Sequence, residues 1–125
     1  MSEWTSEQLS KFKQADDFHV SPYYDDGKTF GTPTWIWSVV VDDGLYIRAW
    51  NGQKSKWYNS AITQKAGKIS LAGHEYQVNF APIINDAELT DKINAAYESK
   101  YDGSSYLPPM VAEGPISATV IVTPK

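Results

Sequence analysis

The sequence predicts an α+β fold, a small antiparallel barrel or curved sheet with two or three helices packed outside. Three observations lead there. Short apolar runs alternate with turn signals, as hairpin strands do. Two or three stretches carry helical start signals and spacing. The 125 residues, 42% hydrophobic, suffice for one domain with one core.

Thr5 to Ala15 reads as the first helix. Thr5 and Gln8 match the Ser/Thr-x-x-Glu/Gln capping box, and Trp4 before the cap can staple onto Leu9 or Phe12. Phe18 to Pro22 is extended, since Pro22 keeps Ser21 out of the helical region. Asp25-Asp26-Gly27 signals a turn, and Lys28 to Phe30 is expected to begin a strand.

The segment from Thr34 to Asn59, TWIWSVVVDDGLYIRAWNGQKSKWYN, holds four of the five tryptophans and the single arginine. Thr34 to Val41 is apolar on both alternating sets and is expected to be a central strand. Asp42-Asp43-Gly44 turns the chain, and Leu45 to Trp50 returns as its hairpin partner. On that partner Leu45, Ile47 and Ala49 share one face, and Tyr46, Arg48 and Trp50 the other.

Asn51-Gly52 opens a loop, and Ser55 is placed to cap a short helix from Lys56 to about Thr63. Lys68 to Leu71 and Glu75 to Ala81 form a second hairpin around Ala72-Gly73-His74. Asn85 or Asp86 caps a longer helix to Lys100, with Leu89, Ile93, Ala96 and Tyr97 on one face. Tyr101 to Pro115 is a Gly-, Ser- and Pro-bearing loop of a length that is often functional, and Ile116 to Val122 is the closing strand.

Charge and composition exclude several functions. With 11 basic and 15 acidic residues the chain carries −4, which offers no basic field for nucleic acid or anionic lipid. No run is long enough to span a bilayer, and the polar start MSEWTSEQL does not resemble a signal peptide, so a cytoplasmic location is expected. Absence of cysteine removes disulfides and thiolate chemistry. His19 and His74 lie far apart without a metal-ligand spacing, so no metal site is expected. No Gly-x-Ser-x-Gly elbow accompanies Ser21 or Ser55. The acidic pairs at 16–17, 25–26 and 42–43 flank turns and read as solvated turn residues.

Two features suit an anionic ligand. The stretch from Asp26 to Thr32 lacks a P-loop's spacing, but its turn amides can form an anion nest, with Lys28, Thr29 and Thr32 adding donors. An ordinary turn is the alternative. Arg48 offers a planar fork for phosphate or carboxylate; otherwise it is held by a salt bridge or by stacking on an aromatic ring.

Tyr23 to Gly27, Thr32-Pro33-Thr34-Trp35-Ile36-Trp37, Tyr46-Ile47-Arg48, Asn51-Gly52, Ser55-Lys56-Trp57-Tyr58 and Ala95-Ala96-Tyr97 with Lys100-Tyr101 resemble an uncharacterised bacterial family, domain of unknown function 2255. More distantly, Gly27-Lys28-Thr29 before Thr32-Pro33, then Ala49-Trp50-Asn51-Gly52 and Trp57-Tyr58-Asn59, resemble the deazaflavin-dependent nitroreductases. Where those enzymes carry Ser-Gly in the phosphate loop, this chain has Thr29-Phe30.

The distant resemblance implies a split β-barrel and an oxidoreductase that binds FMN or a deazaflavin in a homodimer-interface cleft. Lys28, Thr29 and Thr32 would then hold phosphate, and Arg48, Asn51 and Ser55 would contact phosphate or ring edges. Trp50, Trp57 and Tyr58 would wall the cleft. The alternative is a cofactor-free dimeric barrel that binds a small ligand or serves as a structural module, with its tryptophans in the core and interface.

Overall fold

The computed structural model describes residues 4–15, 17–23, 26–31, 33–41, 44–49, 52–83, 86–101 and 116–124. Helix α1 spans Ser6–Gln14, α2 Lys56–Gln64 and α3 Ala87–Lys100. The strands are β1 (His19–Pro22), β2 (Thr34–Trp35), β3 (Ser38–Val41), β4 (Gly44–Arg48), β5 (Ala66–Leu71), β6 (His74–Pro82) and β7 (Thr119–Pro124). They form one antiparallel sheet of seven strands in the order β2-β1-β5-β6-β7-β4-β3, curled into a half-barrel. The fold is α+β, as predicted.

Chain connectivity forces the curl. Strands β2 and β3 are the two outer edges of the sheet, yet only Ile36 and Trp37 separate them. Three Cα steps reach about 11 Å, whereas seven flat strands would place their edges roughly 29 Å apart. The sheet must therefore bend until its edges nearly meet.

This geometry corrects the expectation of one central strand from Thr34 to Val41. The segment is broken in two, and each piece is an edge. Its apolar character on both faces has another origin. Val40 joins the main core, while Val39 and Val41 face a second cluster with Ile93 and Tyr97 of α3. A covered edge strand and a central strand look alike in sequence.

The β3–β4 hairpin pairs Ser38 with Ile47 and Val41 with Gly44, so Leu45 and Ile47 enter the main core and Tyr46 the α3 cluster. The α3 end also closes the β3 edge. Tyr101 stacks on Trp37 (3.9 Å between centroids, 4° between planes), and its hydroxyl accepts from Ser38 N and donates to Ser38 O. Lys100 Nζ donates to the same carbonyl at 2.7 Å. Side chains thus occupy backbone groups that an edge strand would otherwise present to another chain.

Helix α1 carries the expected capping box at Thr5 and Gln8. Trp4 staples onto Phe12, with ring centroids 5.0 Å apart, and its indole donates to Val122 O at 2.8 Å. The β5–β6 hairpin turns through Ala72 and Gly73, both at positive φ (53° and 79°), as a two-residue turn matching strand twist requires. Ala72 is a poor residue there, and Asp17 compensates: its carboxylate accepts both turn amides, at 2.8 and 3.2 Å.

Lys28 and Thr29 do not begin a strand; Phe30 makes a single bridge to Tyr23. The closing strand starts at Thr119 rather than Ile116. Except for Tyr101, the loop predicted to run to Pro115 lies outside the described residues, as do Asp42 and Asp43. No helix among the described residues is long and apolar enough to cross a membrane.

Candidate functional site

After β4 the chain turns a corner into α2. Ala49 N bonds Ala118 O, then Gly52 adopts φ 66° so that its amide returns to Ala49 O at 2.9 Å. A side chain at positive φ is strained, which explains glycine at this corner. One 3-10 turn, Gly52–Lys54, follows, and Ser55 N closes it on Gly52 O at 3.1 Å. Ser55 then starts α2 with the extended backbone of an N-cap.

Opposite this corner lies β2. His19 pairs with Trp35, and Ile36 N bonds Phe18 O at 3.0 Å, so β1 fixes the strand. Between β2 and the α2 start is a groove of about 490 Å³, lined by residues 34–36 and 54–57. Trp35, 54% exposed, is the large hydrophobic side chain most open to solvent among the described residues. Trp57 forms the inner wall and belongs to the core. Lys54 and Lys56 line it, no acidic residue among the described residues does, and the first turn of α2 holds none. A locally positive, aromatic groove therefore sits on a chain of net charge −4.

The residues expected at the site divide between this groove and other places. Ser55 and Trp57 come together in it. Tyr58 does not line it: the ring is buried in the core, 6.3 Å from the Trp57 ring, and burial raises its pKa. Asn59 is turned back on the helix start, its amide donating to Ser55 O. Thr32, Trp50 and Asn51 lie outside the described residues.

Arg48 lies on the other face of β4, under α3. It is fully buried, its Nη1 donating to Asn94 Oδ1 at 2.6 Å and its Nε to Thr119 Oγ1 at 3.1 Å. Its guanidinium lies 5.2 Å from the Tyr97 ring centroid. Burial lowers the Arg48 pKa, and interaction with Tyr97 offsets part of that; burial raises Tyr97 well above the usual phenol range. Strand alternation keeps Arg48 away from the face where α2 packs.

The loop of Lys28 and Thr29 contains its own anion. Asp26 Oδ1 accepts from Lys28 N and Thr29 N, each at 2.9 Å, and Oδ2 accepts from the Thr29 hydroxyl. Those bonds, led by the Thr29 hydroxyl and amide, hold the Asp26 pKa below the usual carboxylate value. A nest of this shape suits an anion, but the Asp26 carboxylate takes that place.

Trp35, Lys54 and Lys56 lie outside the set of site residues that the sequence predicts. The signal for the lysines was present: two cations flank an N-cap serine whose helix has no acid in its first turn. Trp35 carried no such signal, because its exposure depends on the break at Ile36–Trp37. Among the described residues no cluster of His, Cys, Asp or Glu could hold a metal ion.

A family model matches the chain over residues 8–122, and its description is an uncharacterised protein conserved in bacteria. No curated protein and no solved structure matches.

Proposed function

The chain belongs to that bacterial family, DUF2255, which brings no activity with it; from the groove we propose that the protein binds a flat, anionic small molecule, and from the distant resemblance to the deazaflavin-dependent nitroreductases that this ligand is of the flavin class, FMN or a deazaflavin. Exposed Trp35 beside a cationic groove is the observation that carries this reading. Aromatic rings stack on such a side chain, and nearby lysines attract the anionic end. Trp57 closes the inner wall, so ring atoms entering the groove leave water on two sides.

A bound flavin or deazaflavin would supply hydride-transfer chemistry, making the protein an oxidoreductase; the chain's own part is to orient the ring and screen it from solvent. Trp35, Ser55 and Trp57 fit that part. Arg48, Lys28 and Thr29 do not, for the geometric reasons above. A homodimer belongs to the same proposal.

Arg48's packing and the Asp26-filled loop favour a second reading, a cofactor-free dimeric barrel that binds another small ligand. Titration separates the two. FMN and a deazaflavin are each added while cofactor fluorescence and melting temperature are followed. Saturable quenching with a raised melting temperature is expected, with Trp35→Ala weakening binding about tenfold, the size of one aromatic stack. No quenching and no thermal shift with either cofactor would refute flavin-class binding. A monomer by light scattering would remove the dimer.

A further inference from the structure

We infer that the N-terminal end of α2 is a site for a phosphate monoester dianion, and that it, rather than the Lys28–Thr29 loop, receives the anionic end of the ligand. This rests on the groove being the ligand site. It adds which end of the ligand goes where and what chemical group is recognised.

Ser55 carries the inference. It holds the N-cap position with cap backbone angles (φ −63°, ψ 133°), yet its hydroxyl caps no amide of the nine-residue helix. No other hydrogen bond of that hydroxyl is found among the described residues. The residue is only 9% exposed and its remaining surface opens on the groove. A serine built into this position normally satisfies the second or third amide of the helix. Here the serine lines a cavity large enough for a ligand, and its hydroxyl leaves the first-turn amides uncapped.

Charge selects the dianion. Lys54 and Lys56 line the same groove from either side of Ser55, and no ion pair involves either among the described residues. The helix start adds a partial positive charge of about one half. Two cations and that partial charge match a phosphate monoester, about −1.5 to −2 at neutral pH, better than a single carboxylate. The loop at Lys28 is a weaker host, because the Asp26 carboxylate already accepts its amides and would repel a phosphate.

The test compares FMN with riboflavin, which has the same ring and no phosphate, and measures inorganic phosphate binding separately by phosphorus NMR line broadening. FMN is expected to bind about thirtyfold tighter than riboflavin at low salt, the preference shrinking as salt screens the lysines. Ser55→Ala and the double variant Lys54→Gln/Lys56→Gln should each cut that preference about fivefold or more and abolish phosphate broadening. Ser55→Thr should keep the preference, and Lys28→Ala should leave it unchanged. Circular dichroism confirms that each variant is folded.

Phosphate binding that depends on Ser55 and the two lysines supports the anion site even if no flavin binds, in which case the flavin reading alone falls. Equal affinity for FMN and riboflavin, without phosphate broadening, overturns the anion site and leaves ring binding standing. Collapse of the preference in Lys28→Ala, with Ser55→Ala unaffected, also overturns it. Absence of all three ligands overturns both.

Discussion

Gly67→Ala tests the close packing that holds the groove's outer wall. A Cβ at Gly67 would lie 2.6 Å from Pro22 Cα and from Ser21 O, both backbone atoms of β1, and 3.1 Å from Phe80 Cε2. Relief requires about 1 Å of separation between β1 and β5. That movement strains the register pairs Ser21↔Lys68 and Pro22↔Gly67, and the Tyr23 N to Ala66 O bond, already 3.2 Å long. Overpacking of this kind costs about 1–3 kcal/mol, and one weakened backbone bond adds about 1 kcal/mol. Alanine recovers about 0.4–1 kcal/mol through the unfolded chain, leaving a net loss of about 2 kcal/mol. For a domain this size that is a fall of roughly 8 °C in melting temperature.

Gly73→Ala is the internal control. Its Cβ meets nothing within 4 Å, but its φ is 79°. Cost there comes from backbone conformation alone, about 1 kcal/mol, and Gly73→Asn should recover part of it, since asparagine tolerates left-handed angles. Gly67→Asn should be worse than Gly67→Ala. Thermal and urea melts of the four variants decide the matter. A neutral or stabilising Gly67→Ala would refute the close β1–β5 approach and, with it, the firm seating of β2.

Two further outcomes follow from single contacts. Trp4→Phe keeps the ring cluster with Phe12 and Tyr76 but leaves Val122 O without its indole donor; urea melts should show a loss of about 1–2 kcal/mol, and a change under 0.5 kcal/mol would show that the bond contributes nothing. Asp17 has its pKa raised by burial but lowered more by the Ala72 and Gly73 amides, with His19 adding to the lowering. Because the folded value is the lower one, its contribution is present above the unfolded pKa near about 3.9 and is lost as pH falls through the folded value. Melting temperatures of wild type and Asp17→Asn should therefore differ at neutral pH and converge in acid; a constant gap down to pH 2 would contradict the assignment.

Local signals are legible in the sequence. Thr5–Gln8 capping, the Ala72-Gly73 turn, Asp86 as cap and the two faces of β4 each depend on neighbours within a few residues. What was not legible needs distant chain. The break at Ile36–Trp37 exists because Tyr101 stacks there and because two sheet edges must meet. Arg48's partners come from α3 and β7, and no spacing rule connects positions 48, 94 and 119. The anion loop is illegible for a different reason. Asp26 reads as a turn former, while its carboxylate also accepts the loop amides that an anion would need.

The place of β7 has a consequence for how the chain reaches this state. The β3–β4 hairpin joins the remaining strands only through β7, which pairs with β4 on one side and β6 on the other. Strands made early therefore wait as two separate halves, and α1 waits too, because its Trp4 anchor is Val122. Closure can begin only once residues 119–124 have left the ribosome. A nascent chain stalled just short of them carries most of the apolar residues and two unjoined sheet fragments, which makes it a natural client for chaperones that shield exposed strands during synthesis.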